Sequence, residues 1–189
     1  MKRRIEKIIS GSPVPEDPVH SKNTLEWLLK LEPEADIALQ TAALGHDIER
    51  AIENRKIRRE PFINYDEFKA AHAKNSAEIL MKIMEDCSIK KQLADEIIRL
   101  VLRHETGGDQ RSELLKNADS ISFFDVNLPY YFKRNGWDET KQRCEWGYKR
   151  LSAEMKIIVM DITHEKNELN KIMKTIFALD QTHDALNQI

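Results

Sequence analysis

Hydrophobic residues recur at helical spacing in the first quarter of the chain. Leucines lie three and four residues apart in the segment 24–32, and Pro33 ends that pattern. The run 34–52 continues the same spacing. We therefore predict two helices here, the second of which carries the adjacent pair His46 and Asp47 in its second half.

The pattern changes at residues 54–65, where the periodicity fails and a basic connection is predicted. Asp66 is the predicted N-cap of a helix at 67–86, and Ser88 that of a helix ending before Gly107. Further helices are predicted at 109–124, 138–161 and 165–179. Because no segment alternates with a period of two, we predict an all-α fold, a compact multi-helix bundle in a single domain.

Composition narrows the class of protein. Of the 189 residues, 41% are hydrophobic and 33% charged, with only six glycines and six prolines, which excludes disordered and collagen-like chains. With a formal charge of −2, the chain lacks the positive electrostatic field that attracts a nucleic-acid duplex, so no duplex nucleic acid is expected as a partner. We expect no signal peptide, no membrane partner and a cytoplasmic location.

Several ionisable residues lie on faces that should be buried. His72 follows Phe68 by four residues, His104 follows Val101 by three, and Asp119 lies on a largely apolar helical face. An unpaired polar group on a buried face costs several kcal/mol by order of magnitude, so each needs a partner. A single buried histidine is more often a hydrogen-bonded core residue than a metal ligand.

Taken together, the inward residues form a set that a shared divalent metal would satisfy. Its members carry nitrogen and oxygen ligands without a thiol, which suits iron, manganese, cobalt, nickel, magnesium or zinc. The set consists of His20, His46, Asp47, His72, His104 and Asp119. His164 and His183 are left as expected surface residues.

The order of His20, His46-Asp47 and Asp119 resembles the H…HD…D pattern of the HD-domain metal-dependent phosphohydrolases. The resemblance implies an all-helical catalytic core at about residues 18–125 with a C-terminal helical extension at about 126–189. It also implies that these four residues bind one divalent cation.

His72 and His104 resemble the additional ligands of the binuclear branch of this superfamily. The resemblance then implies a second metal ion, with Asp47 bridging the two. In other branches, histidines between the HD pair and the last aspartate contact or protonate the substrate phosphate instead. We place two ions ahead of one and keep both alternatives.

The residues after the HD pair depart from two known branches. The acidic pair of the guanosine tetraphosphate hydrolases is missing, so that activity is not expected. Arg50 occupies the place of the lysine in the HDIGK motif of cyclic-dinucleotide phosphodiesterases, but the GYP signature of that group is absent. The substrate of that group is therefore not carried over.

Catalytic and substrate-binding residues are predicted around these ligands. Arg50 lies one helical turn from the HD pair and is the first choice for contact with a phosphate, the alternative being a solvated surface arginine. Glu105 could hydrogen-bond the attacking water or merely finish its helix. Arg58 and Arg59 in the basic connection, and Lys74, are further candidates for substrate binding.

We expect a phosphohydrolase that cleaves a phosphate ester or anhydride of a small phosphorylated metabolite, with a nucleotide as the first choice. Asp47, Arg50 and Glu105 are its predicted catalytic residues, acting with a metal-activated hydroxide. The alternative from a different class is a metal-containing module that senses a nucleotide without turning it over. A homo-oligomer is compatible with either.

Overall fold

The computed structural model describes the backbone of residues 1–186 and the side chains of residues 1–178. This described part contains helices and connecting segments without a strand, which confirms the all-α prediction. The helices are α1 Lys2–Ile9, α2 Asp17–Leu31, α3 Ile37–Gly45, α4 Tyr65–Asp86, α5 Lys91–Arg103, α6 Gln110–Ser122, α7 Leu128–Lys149, α8 Ala153–Met160 and α9 Asn167–Leu186. The side chain of His183, a predicted surface residue, lies outside the described residues.

Contacts along the chain group Met1–Asp119 into one compact unit and the residues from Ser120 onward into another. In the first unit, α3 packs against α2 and α5, and α4 packs against α5 and the turn after α3. Its core is built from apolar side chains of α1 to α6 and of the turn after α3. The fully buried ones include Ile5, Leu28, Leu44, Ile48, Leu80, Met84, Ile97, Leu100 and Leu115.

The second unit is formed by α7, α8 and α9. Helix α9 packs against both α7 and α8. Cys144 and Tyr148 of α7 and Ile172 of α9 are buried, and the rings of Tyr148 and Phe177 lie 5.1 Å apart. Apolar contact between these helices therefore holds the second unit together.

Polar caps fix several helix starts, not always at the predicted residue. Helix α4 is capped by Asn64, whose side-chain oxygen accepts the Glu67 N–H at 2.8 Å, so the predicted cap at Asp66 is wrong by two residues. Ser88 has a φ of 52° in the turn before α5, which begins at Lys91 instead. A residue in the left-handed region cannot be part of the helix that follows.

Two further helix boundaries differ from prediction. The segment Lys2–Ile9 is an unpredicted helix that buries Ile5 and Ile9 on one face. The single helix predicted at 138–161 is interrupted between α7 and α8, because Ser152 is extended and its hydroxyl oxygen accepts the N–H of Met155. A serine in this arrangement begins a helix rather than continuing one.

Within the described range, no helix combines the length and the apolar composition needed to cross a bilayer.

Candidate metal centre

The pair His46-Asp47 lies at a break in the backbone rather than inside a helix. Helix α3 ends at Gly45, Asp47 has φ −104° and ψ 16°, and a 3₁₀ turn follows at Ile48–Ala51. The predicted continuous helix at 34–52 is therefore wrong. Neighbouring side chains on a regular helix point about 100° apart. The break lets both side chains face one centre, where Nε2 of His46 lies 3.6 Å from Oδ1 of Asp47.

Gly45 allows the close packing that positions this break. A Cβ atom at Gly45 would lie 2.8 Å from Cδ2 of Leu80, a buried residue of α4. This distance is shorter than carbon atoms tolerate, so the absence of a side chain lets the end of α3 approach α4. The pair is thereby brought next to His72, which α4 also carries.

One group of potential ligands combines His20 from α2, His46, and Asp119 from α6. The two Nε2 atoms lie 3.2 Å apart, and Oδ1 of Asp119 lies 3.0 Å from His20 and 3.3 Å from His46. Two ligand atoms held at about 2.1 Å from one metal ion lie roughly 3.0 to 3.4 Å apart. The three atoms therefore have the spacing of ligands to a single cation.

A second group combines Asp47, His72 and His104. Oδ1 of Asp47 lies 2.6 Å from Nε2 of His72 and 3.9 Å from Nε2 of His104. The same carboxylate also reaches the first group, because its Oδ2 lies 3.9 Å from Nε2 of His20. All six predicted ligands thus converge, and Asp47 lies between the two groups.

Hydrogen bonds at Nδ1 orient three of the imidazole rings. The Nδ1–H of His46 donates to the carbonyl of Ala43 at 2.9 Å, and that of His104 donates to the carbonyl of Val101 at 2.7 Å. The Nδ1–H of His72 donates to Oε1 of Glu49 at 2.7 Å. These oxygens only accept, so the proton lies on Nδ1 and Nε2 faces the centre. In this arrangement each of the three rings can bind a metal ion through Nε2.

The electrostatics of the centre favour a cation. Burial lowers the pKa of His46, but Asp47 and Asp119 raise it more, giving a pKa of about 9. Burial raises the pKa of both carboxyls, yet the neighbouring imidazoles hold them well below their usual value. The carboxylates are therefore ionised and draw protons onto the imidazoles, where a divalent cation would take the place of those protons.

Residues 4–173 match the family model described as Domain of unknown function (DUF4202). The chain belongs to this family. The matched range contains all six ligand candidates of this DUF4202 chain. No curated protein and no solved structure matches it.

Glu49 is a residue of the candidate centre that the sequence did not indicate. It is buried, and its Oε1 accepts from His72 while its Oε2 accepts the N–H of Ile57 at 2.6 Å. Asn75 also donates to Oε2, at 3.4 Å. Glu49 thereby orients a ligand and anchors the basic connection that follows. Its only sequence signal is its position two residues after Asp47.

Arg50 lies beside the centre, held by a second missed carboxylate. Nε and one terminal nitrogen of Arg50 each lie 2.9 Å from Oδ1 of Asp17, and the other terminal nitrogen lies 3.8 Å from Oδ2 of Asp47. Burial raises the pKa of Asp17 despite this arginine, and Ser12 donates to its other oxygen. The guanidinium therefore faces protein carboxylates on both sides.

Glu105 lies next to the second group. Its Oε1 is 3.2 Å from Nε2 of His104 and forms an ion pair with Nζ of Lys69. Burial raises the pKa of Glu105, but Lys69 and His104 lower it more, so the carboxyl is ionised. His104, Glu105 and Asp119 also lie close enough together to share a cation.

The other predicted substrate contacts lie on the surface of the first unit. Arg58 pairs with Glu53 at 2.5 Å, and Arg59 donates to the carbonyl of Phe62. Lys74 is an exposed residue of α4. Local partners thus engage both arginines of the connection.

Proposed function

We propose that the chain is a metal-dependent phosphohydrolase that cleaves a phosphate ester or anhydride of a small phosphorylated metabolite, with nucleotides as the first class to test. The position of Asp47 carries this proposal. A carboxylate between two sets of imidazole nitrogens suits a bridging ligand of a two-metal site. The order of the ligands, which resembles that of the HD-domain phosphohydrolases, supports the same activity.

The first group fits a divalent cation by ligand type and spacing, and the second fits one by ligand type. His20, His46 and Asp119 would hold one ion, His72 and His104 the other, with Asp47 shared. When bound, such ions act as Lewis acids and make hydroxide available near neutral pH. The four histidines are almost inaccessible to solvent, whereas the side chains of Asp47 and Asp119 are 17% and 19% exposed. A substrate would therefore approach from the side of the carboxylates.

Two neighbouring residues have roles in this proposal. Glu105 lies 3.2 Å from Nε2 of His104, so its carboxylate is placed to accept a hydrogen bond from the attacking water. Arg50 stabilises the ionised form of Asp47 and is held in place by Asp17. A positively charged group at this position also favours an incoming phosphate.

Replacing Asp47 tests the proposal directly. We expect Asp47→Ala and the isosteric Asp47→Asn to lose bound metal and at least 100-fold in turnover, because both ligand groups lose their shared oxygen. Asp138→Ala, at an exposed position of α7, is the matched control and should behave as the unaltered chain. Metal content is measured by elemental analysis, and turnover on phosphomonoesters, phosphodiesters and dinucleoside polyphosphates.

Full activity in a folded Asp47→Asn variant would contradict the site. Tight binding of a nucleotide by the metal-loaded chain, without product from any substrate class, would instead support a sensor that does not turn its ligand over.

A further inference from the structure

The N-terminal part of α4 carries chemistry that the metal centre does not use. Phe62 precedes this helix, and Tyr65, Phe68 and Lys69 lie in its first five residues. All four side chains are only partly buried. We define Tyr65 and Lys69, with the Phe68 ring behind them, as the α4 wall.

The α4 wall is joined to the metal centre by contacts at two points. The ring of Phe68 lies in stacked orientation 6.3 Å from that of His72, one turn along the helix. Nζ of Lys69 pairs with Glu105, whose same oxygen lies 3.2 Å from His104. The wall therefore borders the second ligand group directly.

Lys69 is a better candidate for phosphate contact than Arg50. The guanidinium of Arg50 is directed at Asp17 and Asp47, so a phosphate would have to compete with two carboxylates. Lys69 has one ion-pair partner within the described residues, Glu105, and an ammonium group offers three donors. The side chain of Lys69 is 18% exposed, close to the 17% of Asp47 and the 19% of Asp119.

Tyr65 adds an aromatic surface beside this cation. Its ring centroid lies 5.8 Å from Nζ of Lys69 and 5.7 Å from the ring of Phe68. Phe62 packs against Phe68 from the connection at 5.9 Å, which fixes the position of the aromatic group. Stacking on such rings tolerates any nucleobase, since every base has a π-face.

We infer that the α4 wall binds a phosphorylated ligand with a planar ring: Lys69 contacts a phosphate oxygen and the ring of Tyr65 stacks on the base. This inference rests on the proposed function and narrows its substrate class to nucleotides over aliphatic phosphates. The spacing of Tyr65 and Lys69, one helical turn apart, puts base and phosphate contacts on the same face of α4.

The test measures binding rather than turnover. Adenosine 5′-monophosphate, ribose 5-phosphate and inorganic phosphate are titrated calorimetrically into the metal-loaded full chain. We expect the nucleotide to bind about tenfold more tightly than ribose 5-phosphate, the size of one stacking contact. Tyr65→Leu should abolish this preference and leave inorganic phosphate within twofold, whereas Tyr65→Phe should retain it.

Substitution of Lys69 should act on all three ligands alike. We expect Lys69→Met to weaken each about tenfold with unchanged metal content, and Lys69→Arg to restore most of the loss. Lys82→Met, at an exposed position further along α4, is the control and should change nothing. Loss of metal in Lys69→Met would overturn the inference, because Lys69 would then support His104 through Glu105.

The outcomes separate this inference from the proposed function. Turnover of nucleotides with unaltered binding in the Tyr65 and Lys69 variants would overturn the α4 wall and leave the phosphohydrolase intact. The expected binding pattern without turnover of any substrate would support the wall and contradict the phosphohydrolase.

Discussion

Glu49 provides the sharpest test of how the centre is built, because it touches only one of the two ligand groups. Its carboxylate accepts from Nδ1 of His72 on one oxygen, and from the N–H of Ile57 and the amide of Asn75 on the other. Glu49→Gln keeps the shape but replaces one acceptor oxygen by a donor. The three donors, from His72, Ile57 and Asn75, would then have one acceptor oxygen of the buried side chain instead of two.

The magnitude follows from these contacts. A carboxylate that orients a metal-binding histidine contributes about 10- to 100-fold to metal affinity, which corresponds to about 1.4 to 2.7 kcal/mol. One buried donor left without an acceptor costs the metal-free protein about 1 to 3 kcal/mol. We therefore expect Glu49→Gln to weaken the ion held by His72 and His104 by 10- to 100-fold. The ion held by His20, His46 and Asp119 should change by less than twofold.

Calorimetric titration of Mn²⁺ into the chelator-treated chain measures both affinities, and urea unfolding measures stability. Glu53→Gln is the matched control, because Glu53 is a 61% exposed residue of the same segment that pairs only on the surface with Arg58. An equal loss at both ions, or no loss at either, would refute the assignment of Glu49 to one ligand group.

Two further predictions concern pH and packing. The folded pKa of His46, about 9, exceeds its unfolded value of about 6.5, so its contribution to stability is complete below pH 6.5 and lost as pH rises to 9. Urea unfolding of the metal-free chain should show that the free energy of unfolding falls by up to about 3 kcal/mol between pH 6.5 and 9. The affinity for Mn²⁺ should rise over the same range. A metal-free chain that is more stable at pH 9 than at pH 6.5 would contradict this prediction. Gly45→Ala should lower stability by about 1 kcal/mol, because overpacking against Leu80 outweighs the gain in helix propensity. Gly11→Ala, whose Cβ would meet no atom closer than 3.4 Å, is the control, and a Gly45→Ala variant as stable as the unaltered chain would refute the packing argument.

The sequence could predict the all-α fold and the inward positions of His72 and His104 because both depend on local periodicity. His72 and His104 continue apolar stripes, and a polar residue on such a stripe is conspicuous. The backbone break at His46-Asp47 could not be predicted in this way, because the hydrophobic spacing of residues 34–52 continues through it. Gly45, at the end of α3, lies against Leu80 of α4, a contact between segments distant in sequence.

The residues near the centre that the sequence analysis did not predict are charged residues with polar neighbours along the chain. Asp17, Glu49 and Lys69 lie among other charged residues along the chain, where a solvated surface is the usual environment. Each is withdrawn from solvent by a partner at least 20 residues away: Arg50, His72 and Glu105 respectively. Such pairs follow from the tertiary fold, and a sequence pattern alone contains no signal for them.

The competing explanation, in which the histidines are structural and need no metal, can be weighed separately for the two ligand groups. In the second group, a protonated His72 donates at 2.7 Å to Glu49 and at 2.6 Å to Asp47, so protons alone satisfy these three side chains. Nε2 of His104, however, is buried without a hydrogen-bond partner among the described residues. The first group differs, since Nε2 of His20 and Nε2 of His46 face each other at 3.2 Å.

One proton on these two Nε2 atoms can serve the contact between the rings or the contact with the Asp119 oxygen, about 3 Å from both, but not both contacts at once. Two protons would place two buried imidazolium rings in contact, as the T-shaped rings of His20 and His46 already are at 5.1 Å. A divalent cation avoids both arrangements, because it accepts both lone pairs and neutralises the carboxylate. The first group therefore favours a metal ion over protons, and its occupancy should respond to pH through His46, whereas the occupancy of the second should respond to Glu49.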